Sequence, residues 1–194
     1  MHKCDDETEA GNYRPISLLS VYNRVFENLI NIRLSSFIYK HDILYKSQYG
    51  FRKNHSTQVS TIQNNMGQKR YSCGIFLDLK IAFDTVNHEI LLAKLDHYCI
   101  RGVINSWFAS YLKNRKQTIE INGHVSNIET TLCGVPQRFI LGPLLFLIYI
   151  NDIHKSSNKF QFHLFADDTN LLFSYKNLHT LEQTVNEELV NDSN

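Results

Sequence analysis

Four cysteines, Cys4, Cys73, Cys99 and Cys133, are scattered through 194 residues without any C-x-x-C spacing. Such scatter argues against a zinc site and against a disulfide framework, and favours reduced thiols inside a cell. Charge of one sign is also lacking. The formal net charge is +1, so a nucleic-acid groove would have to come from local basic clusters. The opening Met1-His2-Lys3-Cys4-Asp5-Asp6-Glu7 has no apolar core of the kind a signal peptide needs. The most apolar run, Leu141 to Ile150, is too short to span a bilayer and is interrupted by Gly142 and Pro143. There is no internal repeat and no low-complexity linker. What remains is an expected intracellular protein, nuclear or cytoplasmic, without a membrane role. Its 43% hydrophobic and 20% charged residues fit one globular core, or one domain with a smaller lobe.

Along the chain, residues 1–10 read as a flexible N-terminal segment. From Ile16, the positions Leu18, Leu19, Val21, Tyr22, Val25, Phe26, Leu29, Ile32 and Phe37 fall at helical spacing. They predict a long amphipathic helix, opened by Pro15 and Ser17, with its aromatic stripe in the core. Cys73 to Leu79 reads as a buried strand carrying Asp78 near its end. Asp84 and Thr85 look like the start of a helix over Val86 to Tyr98, and another runs from Val103 to Lys113. Gln117 to Glu129 alternates around Asn122-Gly123, a strong hairpin signal. Pro143 to Ile153 reads as a buried helix and Leu178 to Val190 as the last one. This mixture of helices and an antiparallel hairpin predicts an α+β fold.

The stretch Phe162-His163-Leu164-Phe165-Ala166-Asp167-Asp168-Thr169-Asn170-Leu171-Leu172-Phe173 places two adjacent acids between apolar runs, the pattern of a β-hairpin with the acids at its turn. Neighbouring carboxylates repel unless a cation or basic group compensates them. Asp and Asn also suit plain polar turns, so the pair alone is ambiguous. A strand ending in Asp78 could bring a third carboxylate. Hard cations such as Mg²⁺ take oxygen ligands and share the rest with phosphates; two of them about 3.5–4 Å apart serve in-line phosphoryl transfer. Arg52 and Lys53, in an aromatic-rich loop, could hold phosphate or remain a solvated surface pair. The chemistry is nucleotidyl transfer or its hydrolytic relative, and spacing does not choose between them.

Five motifs narrow the choice. Asn12-Tyr13-Arg14-Pro15-Ile16-Ser17-Leu18-Leu19 comes first, then Gln48-Tyr49-Gly50-Phe51-Arg52 with His55-Ser56-Thr57. Phe76-Leu77-Asp78-Leu79 leads into Ala82-Phe83-Asp84-Thr85-Val86-Asn87-His88. Gly134-Val135-Pro136-Gln137 leads into Leu141-Gly142-Pro143-Leu144-Leu145-Phe146, and Phe165-Ala166-Asp167-Asp168 closes the series. In this order they resemble the reverse transcriptase domain of non-LTR (LINE-type) retrotransposons. The resemblance implies the fingers–palm part of a right-hand polymerase, an antiparallel palm sheet packed by helices, over residues 11–194. It implies RNA-directed DNA polymerase activity: two-metal transfer of dNTPs onto a primer 3′-hydroxyl. Asp78, Asp167 and Asp168 would be the catalytic residues and bind two Mg²⁺ ions, with Mn²⁺ as a substitute. Arg52 would face the triphosphate, Phe83 the sugar and Gln137 the nucleotide. Arg14 and Lys53 would contact nucleic acid. The implied partners are an RNA or DNA template, a DNA primer and dNTPs.

The sequence also departs from the family. Arg138-Phe139 stands where a small pair normally follows Gln137, Ile81 replaces a lysine, and Val59 to Ser72 is short. An endonuclease and a thumb are expected to be missing. A catalytically dead retroelement remnant that at most binds nucleic acid is therefore the alternative expectation. An RNA-directed RNA polymerase or a metal phosphatase fits the acids but not the other motifs.

Overall fold

The computed structural model describes residues 21–52, 70–79, 82–113, 115–118, 120–121, 124–136 and 139–191. Arg14, Lys53, Ile81, Gln137, Arg138, the segment 1–10 and the helix start at Pro15 lie outside them, as do Asn122-Gly123 and most of Val59 to Ser72. The chain divides into two compact units, Met1–Ile43 with Ile81–Tyr149, and Leu44–Lys80 with Ile150–Asn194.

The first unit is mainly helical. Helix α1 (Val21–Lys40) buries Glu27, Leu34 and Ile38. The expected aromatic core stripe is corrected: Tyr22, Val25, Phe26, Leu29 and Ile32 are exposed. At 3.6 residues per turn, Tyr22, Val25, Leu29 and Ile32 fall on the side opposite the buried line. The helix has two apolar faces; the expected stripe follows the exposed one, and Leu34 and Ile38 on the opposite face are buried. Helix α2 (His88–His97) starts later than Asp84 and Thr85 predicted, because Asn87 is the cap. Its side-chain oxygen accepts from the Glu89 and Ile90 amides at 2.9 and 3.1 Å, and such a cap contributes about 1 kcal/mol. Helix α3 (Val103–Leu112) follows Gly102, whose φ of 65° suits glycine. Strands β2 (Arg115–Gln117) and β5 (Glu129–Thr131) pair antiparallel, and β3 (Glu120–Ile121) pairs with β4 (His124–Val125), the hairpin expected here. Helix α4 (Gly142–Ile150) is apolar around its circumference, so Leu144 to Ile148 are all buried. It ends before Ile153, where a short 3₁₀ turn (Ile153–Lys155) takes over.

The second unit is a three-stranded antiparallel sheet in the order β1-β7-β6, with β1 Tyr71–Asp78, β6 Gln161–Phe165 and β7 Asp168–Tyr175. One face packs on helix α5 (Leu178–Asn191). Phe160, Phe162, Leu164, Leu171, Phe173, Leu181 and Val185 form that core, with Cys73 and Ile75 against it. The expectation that β1 is a buried strand is corrected too. It lies at the sheet edge, and its apolar run is split between faces, so Phe76 is 77% exposed. Among the described residues, no helix is long and apolar enough to cross a membrane.

Candidate active site

Residues paired across antiparallel strands share a face of the sheet, and successive residues alternate. The register places Asp78 opposite Asp168, and Asp168 opposite Phe165. The next row on the same face is Phe76, Asn170 and His163. The intervening row, Leu77, Thr169 and Leu164, points to the α5 side. The two carboxylates are thus direct cross-strand neighbours on the face away from the core. Like charges placed opposite each other disfavour a strand pair, and a cation bound between them would relieve that repulsion. Beside them lies an open groove of about 260 Å³ lined by Phe76, Leu77, Asp78, Phe165, Asp168 and Asn170.

Asp167 sits in the two-residue turn that joins β6 to β7. Of the two turn residues, only Ala166 has positive φ, at 60°, which is the type II′ pattern that favours glycine. For an L-residue this region costs about 1–2 kcal/mol. The surrounding structure holds it there. Leu164 donates its amide to Ser47 O at 2.9 Å and accepts from the Tyr49 amide at 2.7 Å. Gln48 pairs with Leu164 as an isolated parallel bridge along the outer edge of β6. The Gln48 side-chain oxygen accepts from the Ala166 amide at 3.2 Å and from the Gly50 amide at 2.9 Å. Tyr49 stacks on Phe165 at 5.2 Å and on His163 at 6.0 Å. Burial lowers the pKa of His163, favouring its neutral ring. Arg52 donates from one nitrogen to Tyr45 O at 3.1 Å and Gln48 O at 3.3 Å, closing the loop that carries these contacts.

The other unit gathers a second set of motif residues. Gly134 donates to Val86 O at 2.7 Å and Val135 to Phe83 O at 2.8 Å, stitching Ala82–Val86 to Gly134–Pro136. Gly134 has φ 87°, and a Cβ there would come within 2.9 Å of Asp84 Cα, so both conformation and space demand glycine. The buried His88 meets the Gly134 carbonyl at 2.8 Å; since a carbonyl only accepts, Nε2 carries the proton. The Phe83 ring rests on Phe146 at 4.5 Å. Glu27, 1% exposed, accepts from Tyr111 OH at 2.6 Å and the Ile140 amide at 3.1 Å. Burial, then this hydrogen bond, pushes the Tyr111 phenol well above its usual value. Burial also pushes the Arg115 guanidinium down, with Tyr111, Asp84 and Glu27 acting against that shift. Glu27 thus fixes the backbone three residues past Gln137.

Of the expected site residues, the structure pairs Asp78 with Asp168, puts Asp167 in the adjoining turn, and sets Arg52 in the loop beside that hairpin. Phe83 belongs to the other unit, and Gln137, Arg14 and Lys53 are outside the described residues. Among the described residues, no group of three or more His, Cys, Asp or Glu side chains is placed to hold a metal. Mg²⁺ is ordinarily bound by one or two carboxylates plus substrate phosphates and water, so an all-oxygen Asp78–Asp168 pair at an open groove fits it. Sequence reasoning assigned no role to Gln48, His88 or Glu27. The first two lay inside quoted motifs; Glu27 could have been noticed as an acid on the apolar side of α1.

A family model described as reverse transcriptase (RNA-dependent DNA polymerase) matches residues 1–192. The chain is 34% identical over 172 residues to a probable RNA-directed DNA polymerase from transposon X-element of Drosophila melanogaster, covering 84% of this chain and 19% of that protein. It is 34% identical over 184 residues to the corresponding protein from transposon BS of the same organism, covering 87% and 20%. The RNA-directed DNA polymerase from its mobile element jockey is 34% identical over 152 residues, covering 75% and 16%. The chain therefore spans about a fifth of the length of these relatives. Among solved structures, a partial Cas6-RT-Cas1–Cas2 complex matches 72% of this chain and 25% of its own at 27% identity, with a TM-score of 0.35. A likeness at that TM-score carries no structural argument.

Proposed function

The chain belongs to the reverse transcriptase family, and from that premise we propose that it is an RNA-directed DNA polymerase core that adds dNTPs to a primer 3′-hydroxyl. The observation that carries the reading is the register of β1 and β7, which sets Asp78 and Asp168 face to face beside an open groove. Asp78 and Asp168, with Asp167 next to them in the turn, would hold Mg²⁺ or Mn²⁺. Bound there, divalent ions would activate the primer hydroxyl and neutralise charge on the leaving pyrophosphate. The chain's own contribution is position. A rigid sheet fixes the two carboxylates, and the aromatic wall of Phe76 and Phe165 borders the groove in which reacting groups would lie.

The remaining assignments follow the motifs. Arg52 would meet the triphosphate, since a guanidinium's planar donors suit phosphate oxygens. Phe83, held by its own backbone bond to Val135, would lie against the sugar, and Gln137 against the nucleotide. Arg14 and Lys53 would contact the template RNA or DNA and the DNA primer, mainly through phosphates.

The test is primer extension on poly(rA)/oligo(dT) with Mg²⁺, using the folded chain. The expected result is incorporation that disappears in Asp78→Asn and in Asp168→Asn; incorporation surviving in both would overturn the reading. Arg138→Gly/Phe139→Ser belongs in the same assay, and incorporation only in that variant would locate a lesion at the departure from the family pattern.

A further inference from the structure

We propose that Gln48 is a positioning residue for the carboxylate hairpin, acting with Gly50 as a clamp on the strained Ala166 turn. The clamp rests on geometry alone; only its consequence for catalysis rests on the polymerase reading. Gln48 is 1% exposed, and its side-chain nitrogen has no hydrogen-bond partner among the described residues. A buried donor left in that state lowers stability, and an apolar residue of the same size would avoid the cost. What the amide supplies instead is one oxygen shared by two backbone amides, Gly50 on its own loop and Ala166 on the hairpin 118 residues away. Those amides flank two non-glycine residues in the left-handed region, Phe51 at φ 53° and Ala166 at φ 60°. Strain at two neighbouring positions persists only where the surroundings over-determine the backbone.

Gly50 completes the clamp by proximity. A Cβ at this position would collide with the Ala166 nitrogen and come within 2.8 Å of the Phe165 carbonyl carbon. Only glycine lets the loop backbone lie directly on the turn. Ser47 and Tyr49 hold the same loop to Leu164 through two backbone bonds. The loop therefore sets where β6 ends and where Asp167 and Asp168 begin. Release of the Ala166 amide would let the turn relax toward an unstrained type, and the carboxylate opposite Asp78 would move with it.

The test uses the 194-residue chain with Gln48→Met, Ala166→Gly, the double variant and Gly50→Ala. Amide hydrogen exchange is read by NMR at Ala166, with Leu171 and Phe173 as internal references. Gln48→Met should speed exchange at Ala166 by about tenfold or more while the references move little, since a lost hydrogen bond of this kind is worth about that factor. Gly50→Ala should do the same from the other side. Ala166→Gly, which is at ease at positive φ, should leave exchange at this position nearly unchanged while Gln48 is intact. In primer extension, Gln48→Met should lower kcat with little change in KM for dNTP, and adding Ala166→Gly should recover part of the loss. Equal acceleration at all three amides, or no acceleration at Ala166, would overturn the clamp. Polymerase silence in every variant, with exchange at Ala166 accelerated as expected, would uphold the clamp and count against the polymerase reading instead.

Discussion

The two faces of the β1-β7-β6 sheet are made by the same strands and have opposite characters. On the α5 side, Leu164, Leu171 and Phe173 are at most 5% exposed. On the other side, Phe76, Asp78 and Asp168 are exposed, and two carboxylates stand opposite each other. Because side chains alternate along a strand, stability and chemistry are carried by neighbouring residues: Thr169 faces the core and Asp168 the groove. A register slip of one residue would exchange the two faces. The hairpin turn and the loop contacts that hold it therefore fix which side chains reach the groove.

Substitutions on each face should separate these roles. Phe173→Ala, on the packed side, should cost about 3–5 kcal/mol in denaturant unfolding, the usual toll for an emptied aromatic site. A cost below 1 kcal/mol would mean the α5 face is not the core described. Thr169 is fully buried, and its hydroxyl has no partner among the described residues. Thr169→Val should then raise stability by about 1–2 kcal/mol, read as a higher midpoint; a lower midpoint would show that the hydroxyl is satisfied. His163 lies on the groove side, and burial holds its pKa below 6.5. Its contribution to stability is complete above the unfolded value and falls as pH drops through the lowered folded value. Unfolding at stepped pH should show that decline below about 6.5, and His163→Gln should flatten it. Phe76→Ala should change stability by no more than about 0.5 kcal/mol, because this ring is 77% exposed.

How much of this was legible from the sequence follows from the range of the interactions. The hairpin over Phe162 to Phe173 was readable because alternation is local, and β6 and β7 fall where it put them. The Asn-Gly hairpin and the helix from Val103 were equally local signals. Helix α1 was readable as a helix but not as a surface, since its longer apolar face is the exposed one and spacing alone does not tell which face is packed. The run Ile75-Phe76-Leu77 looked buried because it is continuous, yet an edge strand with one open face gives the same letters. At the site, the carboxylate hairpin was visible and its pairing with Asp78 was a reasonable guess. The Gln48–Ala166 and Glu27–Ile140 contacts span 118 and 113 residues, and nothing in local pattern encodes a partner so distant.

The central claim of the proposed reading is that Asp78 and Asp168, paired across β1 and β7, together hold a divalent cation. The most direct check is the thermal midpoint of the folded chain with and without Mg²⁺, beside Asp78→Asn. The account predicts that Mg²⁺ raises the midpoint of the parent chain, as a ligand that binds only the folded state must. It also predicts that Asp78→Asn has the higher midpoint without Mg²⁺ and loses most of the response to it. A parent chain indifferent to Mg²⁺, with Asp78→Asn no more stable than the parent, would contradict it.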